Sequence, residues 1–328
     1  MRRFWLVAVG AALTLALAGC ASRASAPAAP GGAEGEAQLK NQQQTQAGAQ
    51  CEPGREAWRG QGVPKRGGTI VRDQPDWSSL DPTISGGRAY YGFGVYEYLV
   101  RPRACYFSDT TMVGNLAKSW QTSPDGLTWT IKLQDGVRYQ NRAPLNGRAF
   151  TSADVAWTFE YMTKETDLKS YWSGVTVEAP DALTVVLKMK DPDPDFIYKL
   201  GDERNIMLPR EIKEQFGDFK RNAVGTGAFQ LKSYTPDQQG IVERNPIYWN
   251  KGADGQPLPY VDEIRGMVFA DAAAEMAALR SGQGEHTHGE KVRKIDSDAL
   301  KQGNPKNRYY SDAAATIHGL WLDRKSVV

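Results

Sequence analysis

The sequence predicts an α/β fold with mixed strand directions, and three observations predict it. Short strand patterns of period two come in pairs around turn residues, which is hairpin spacing. Single capped helical patterns lie between those pairs. The strict strand–helix–strand alternation of a parallel sheet is missing, and no internal repeat is visible. Composition suits a folded domain: of 328 residues, 41% are hydrophobic and 24% charged, with nine Trp and fourteen Tyr. Such aromatic content fits a large core or a cleft lined with flat side chains.

The first element is a strand, Thr69 to Arg72, launched by Gly67-Gly68 and followed by a turn at Asp81-Pro82. "GRAYYGFGVYEYLVRP" comes next, and its part from Tyr91 to Leu99 reads as a helix with an aromatic face. Ser123-Pro124-Asp125-Gly126 is turn chemistry. After it, Trp129, Ile131 and Leu133 alternate with Thr128, Thr130 and Lys132, a half-buried strand, and Asp135-Gly136 marks another turn. "AFTSADVAWTFEYMTKET" reads as a helix capped by Thr151 or Ser152, with Asp154 in its first turn and Val155, Phe159 and Met162 on one face. Val175–Glu178 and Leu183–Met189 form a strand pair around Pro180-Asp181. "PREIKEQFG" is a short helix that Gly217 stops. Phe229–Tyr234 and Ile241–Arg244 make a further hairpin, and Ala272–Arg280 a helix ending near Gly282.

Ahead of these elements the chain reads as an address. "MRRFWLVAVGAALTLALAGC" has a basic start, a short apolar run and a small-residue end, the layout of a secretory signal. Leu17-Ala18-Gly19-Cys20 resembles the bacterial lipobox, which implies a signal over residues 1–19 and a lipid on Cys20. Residues 20–64, rich in Ala, Gly and Gln, carry little to bury and are expected to be a disordered tether. Such a coil reaches roughly 35–40 Å. Cys51 and Cys105 remain, and an oxidising compartment permits a bridge between them or leaves two thiols. The formal net charge is +2, set by Arg2 and Arg3, and no basic stripe points to nucleic acid.

Gly225-Thr226-Gly227 raises the question of a phosphate cradle. A cradle needs a helix directly after its glycines. Here Phe229, Leu231 and Ser233 alternate with Gln230, Lys232 and Tyr234, a strand pattern, and no Walker lysine follows. The glycines therefore serve positive φ or a close backbone approach.

The same stretch, "VGTGAFQLKSYTPDQQGIVERNPIYWNKG", resembles the extracellular solute-binding proteins of ABC transporters, in the family that holds oligopeptide-, dipeptide- and nickel-binding proteins. "GGTIVRDQPDWSSLDP", "LAKSWQTSPDGLTWTIKLQDGVRYQNRAPLNGRAFTSADVAWTFE" and "PYVDEIRGMVFADAAAEMAALRSGQ" resemble further family segments in the same order. Ala228 stands where proline is common. The resemblance runs from about Gly67 to Gln283.

It implies a two-lobed fold of the type II periplasmic-binding-protein kind, with solute held between lobes that close on a hinge. The first lobe would start over residues 65–100, carry an inserted subdomain over 101–221 and return over 222–283. Residues 284–328 would begin a second lobe that is largely missing, since the family runs longer. The closing "DRKSVV" resembles a translated sequencing adapter, which predicts a natural frame continuing past about Leu322.

The function implied is a lipid-anchored extracytoplasmic receptor. It captures peptides or similar small solutes for a membrane permease, without catalysis and without a cofactor. Ligand-lining candidates are Trp77, Ser85, Tyr90 and Tyr91 around the loop after the first strand, and Gly225, Thr226, Gly227 and Phe229 in the glycine segment. Two other classes compete. "GEHTHGE" places His286 and His288 where an extended chain could turn both to a nickel, copper or zinc ion, against the plainer reading of a solvated loop. A secreted hydrolase would need a nucleophile, a base and an orienter, yet His286, His288 and His318 lie in no such context.

Overall fold

A computed structural model describes residues 65–73, 78–83, 93–103, 111–166, 168–202, 204–252, 254–284 and 294–303. In chain order the strands are β1 (Thr69–Asp73), β2 (Val100–Pro102), β3 (Met112–Gly114), β4 (Ala117–Thr122), β5 (Thr128–Leu133), β6 (Val175–Asp181), β7 (Thr184–Met189), β8 (Phe229–Thr235), β9 (Gln239–Arg244) and β10 (Glu263–Met267). The helices are α1 (Ser152–Glu165), α2 (Phe196–Leu200), α3 (Arg210–Phe216), α4 (Ala272–Ser281) and α5 (Lys294–Gly303). Strand directions are mixed, as the hairpin spacing predicts. β1 runs parallel to β10, and the other pairings are antiparallel. Among the described residues, no helix is long and apolar enough to cross a membrane.

One four-stranded sheet has the order β1-β10-β9-β8, so its strands come from the two ends of the described chain. A second, β4-β5-β7-β6, lies between them in sequence. Its hairpin β4–β5 turns where Gly126 takes φ +72°, and the Asp125 carboxylate accepts from Ser123 Oγ at 2.5 Å and Leu127 N at 3.0 Å. Trp129, Ile131 and Leu133 are buried and Lys132 is exposed, the alternation the sequence shows.

α1 covers β6 and β7 with Val155, Phe159 and Met162, all buried. Its first turn is fixed by Asp154, whose carboxylate accepts from the Thr151 backbone N–H at 2.8 Å. Phe159 meets Trp172 edge-on at 4.6 Å, and Phe196 lies 6.0 Å from Trp172 and 5.4 Å from Trp129. Within this aromatic core Trp172 Nε1 donates to Asn205 Oδ1 at 3.1 Å. Arg148 then ties the start of α1 to α3, reaching Asp154 Oδ1 at 2.6 Å and Glu211 Oε1 at 2.5 Å. α3 ends at Gly217 and α4 at Gly282, each left-handed.

One expected element is corrected. The described part of Tyr91–Leu99, residues 93–99, is not an α-helix: Phe93 is in 3₁₀ conformation and residues 94–99 are irregular apart from a bridge at Tyr98. Gly94 takes φ +63°, and the carbonyls a helix would use internally are given to distant partners. Gly94 O accepts from Phe229 N and Val95 O from Gly227 N, both at 3.0 Å, and Glu97 O accepts from Met207 N at 2.9 Å. Aromatic spacing suggests a helix, but pairing across the fold satisfies this backbone instead.

Candidate functional site

The glycine segment lies against residues 94–95 as an extra, irregular strand contact. Gly225 and Gly227 do not adopt positive φ. Their need for glycine is steric: an added Cβ would sit 2.1 Å from Val95 O at Gly225 and 2.1 Å from Gly94 O at Gly227. Of the two roles the sequence left open, close approach is the one found. Thr226 is buried between them, and the buried Phe229 ring lies over Gly94. Thus Gly225, Thr226, Gly227 and Phe229 come together at one place.

Two buried amides sew this strip down. Gln140, fully buried, donates through Nε2 to Val95 O at 3.2 Å and Phe229 O at 2.7 Å. Its Oε1 accepts from Gly225 N at 3.1 Å. One side chain thereby ties residue 95 to both ends of the glycine strip, with both amide N–H groups and the amide oxygen engaged. On the far side Asn245 Nδ2 donates to Gly227 O at 2.8 Å, and Asn245 N donates to Ala228 O at 2.8 Å.

Beneath the strip sits a carboxylate. Glu97 is buried, and its Oε1 accepts from Asn115 Nδ2 at 2.9 Å and the Tyr248 hydroxyl at 2.8 Å. Its Oε2 accepts from Trp249 Nε1 at 3.0 Å, and Thr226 adjoins the same group. None of these four neighbours carries a formal charge. Burial pushes the Glu97 carboxyl up, while the donors from Trp249, Tyr248 and Asn115 pull it partly back. The "NPIYW" stretch thus acts through Asn245 on the strip and through Tyr248 and Trp249 on Glu97.

This arrangement positions backbone; it presents neither a nucleophile with a base nor a metal-binding set. Among the described residues, no three His, Cys, Asp or Glu converge to hold a metal ion. Trp77, Ser85, Tyr90 and Tyr91 lie outside the described residues, as do Cys20, Cys51, Cys105, His286, His288 and His318. Sequence reasoning missed Glu97, Asn115 and Gln140. Each is a polar residue of a kind usually exposed, with no local motif to mark it.

Residues 111–325 match the sequence model of the bacterial extracellular solute-binding proteins, family 5, middle region. A putative ABC transporter peptide-binding protein of Brucella ovis is 34% identical over 187 residues, 54% of this chain and 33% of that protein. Among solved structures, the periplasmic binding protein DppA of Helicobacter pylori, in complex with the peptide STSA, is 26% identical with a TM-score of 0.61, over 71% of this chain and 49% of that one. The nickel ABC transporter structure from Bacillus halodurans is 28% identical with a TM-score of 0.59, over 72% of this chain and 45% of that one. The chain therefore spans about a third to a half of the length of these relatives.

Proposed function

The chain belongs to the bacterial extracellular solute-binding proteins, family 5, and on that premise we propose that it is the substrate-binding lipoprotein of an ABC importer. It captures peptides or similar small solutes outside the cytoplasmic membrane and hands them to a permease, catalysing nothing. The observation that carries this reading is the family match over residues 111–325, most of the folded part. The kinship with a peptide-complexed protein of Helicobacter pylori favours peptides as the solute class.

In this reading residues 65–100 open the first lobe, 101–221 are its inserted subdomain, 222–283 its return and 284–328 the start of the second lobe. The sheet order β1-β10-β9-β8, built from both ends of the described chain, supports such a return. The solute is contacted by Trp77, Ser85, Tyr90 and Tyr91 and by Gly225, Thr226, Gly227 and Phe229, whose strip serves as a rigid bed. Residues 1–19 are the signal and lipid on Cys20 is the anchor. Labelled palmitate incorporated into the wild type and lost in Cys20→Ser tests the anchor.

The capture itself is tested by thermal shift. A pool of di- to octapeptides should raise the melting temperature of the protein expressed from the whole gene, because ligand that binds the folded state stabilises it. An unchanged melting temperature at millimolar peptide would count against peptide capture. The Bacillus halodurans relative makes metal capture the second reading, with His286 and His288 as ligands. A shift with nickel that vanishes when both become Ala would favour it.

A further inference from the structure

The apolar face of the sheet β1-β10-β9-β8 is left open at β8. Ile70, Ile264, Val242 and Leu231 stand side by side across the four strands, so they share one face. Val242 and Ile264 are buried, but Leu231, on the outermost strand, is only half-buried. Beside it lies a groove of about 340 Å³. Its floor is Ile212 of α3 and Val224, both buried. Its rim is Phe216, Asn222 and Arg142. Phe216 is 43% exposed, and Arg142 is held aside by Glu243 Oε1 at 2.8 Å.

We propose that this groove receives the indole of Trp58, from the chain's own leading segment. Residues 21–64 contain one aromatic residue, and it is Trp58. The point where that segment joins the fold is fixed, because Arg66 donates to Pro257 O at 2.7 Å and to Asp254 Oδ1 at 2.9 Å just ahead of β1. Leu231 stands in the row of Ile70, three strand spacings or roughly 14 Å across the sheet. Arg66 lies four residues before Ile70, at most about 13 Å along the strand. The straight path from Arg66 to Leu231 is therefore at most about 20 Å. The eight residues from Trp58 to Arg66 span up to about 26 Å, which is enough.

The chemistry of the groove matches an indole. Ile212, Val224 and Leu231 suit its flat apolar body, and the rim amide of Asn222 can accept its single N–H. The volume is at the lower end for a bound small molecule and suits one bicyclic side chain. Addition of a whole strand is disfavoured, because the register of β8 breaks between Leu231 and Ser233. A single anchoring side chain needs no regular edge. Docked, Trp58 closes the open end of the apolar face and leaves residues 20–57 as the free tether. The tether then departs beside β8 and not beside β1. The inference depends neither on the solute nor on the lipid.

The test is trypsin cleavage of the full chain after Arg59, next to Trp58, with cleavage after Lys40 as the reference for open chain. Both rates are taken relative to a synthetic peptide of residues 36–64. Reductant is present, so that a bridge through Cys51 contributes nothing. We expect Arg59 to be cut at least about tenfold more slowly than Lys40, since cleavage follows the undocked population. The difference should vanish in Trp58→Ala and shrink in Phe216→Glu, which puts a charge on the exposed rim. Equal cutting at the two sites in the wild type overturns the proposal. So does protection that survives Trp58→Ala, or that is unaltered in a folded Phe216→Glu. Protection that weakens on dilution assigns the groove to a second copy of the chain and overturns it as well.

Discussion

The sheet β4-β5-β7-β6 with α1 and the glycine strip with residues 93–99 are both buried, yet they are held by opposite means. The first is filled with Trp129, Phe159, Trp172, Val185 and Leu187 and needs few side-chain hydrogen bonds. The second is held by Gln140, Asn245 and the Glu97 cage around bare backbone. The difference teaches where substitution is tolerated. Apolar packing is graded, because volume can be conserved. A polar knot is not graded, because its donors and acceptors are matched to specific partners and a near-isosteric swap leaves some of them unmatched.

The largest effect should come from emptying the apolar core. Trp172→Ala should cost about 4 kcal/mol, while Leu187→Met in the same core should cost less than about 1.5 kcal/mol, both read from denaturant midpoints. Equal losses from the two would break the graded side of the comparison. Next, Gly227→Ala should cost about 3 kcal/mol, since its Cβ meets the Gly94 carbonyl rather than a flexible side chain. A loss under about 1 kcal/mol, the helix-propensity scale, would mean the strip can move aside. Gln140→Glu, nearly isosteric, should still cost about 2–3 kcal/mol, because it removes both donations to Val95 O and Phe229 O and buries a charge. A neutral outcome would show that the amide is incidental.

The smallest effect separates the regions by sign. Glu97 is raised in the folded state, so its contribution to stability is full below the unfolded glutamate value and is lost as pH rises through the folded one. Glu211 is lowered chiefly by its hydrogen bond from Arg148, so its contribution is present above the unfolded value and lost as pH falls through the folded one. Melting temperature against pH should therefore lose a downward slope toward neutrality in Glu97→Gln and lose an acid-side fall in Glu211→Gln. Identical changes in the two variants would contradict the assignment.

The two regions also differed in legibility. In the apolar region the alternation Trp129, Ile131, Leu133, the Thr151–Asp154 helix start and the Gly217 stop are local signals, and each is found as read. In the polar region the partners are far apart in sequence. Residues 93–99 looked helical because local aromatic spacing carries no trace of Gly225–Phe229, which takes up their carbonyls. The glycines were recognisable as special, but positive φ and close approach could not be told apart without the facing chain. Glu97 and Gln140 are residue types normally found at the surface, and their burial follows only from what surrounds them.

The central claim is that the polar knot makes the glycine strip as rigid as the apolar core. Native-state hydrogen exchange of the Gly225, Gly227 and Phe229 amides tests it most directly, with the β5 and β7 amides as the reference. The account predicts protection within about tenfold of that reference, a difference of about 1.4 kcal/mol in opening free energy. Exchange at the rate of an open loop would show that the strip is only resting on residues 94–95, and the bed assigned to the solute would be lost with it.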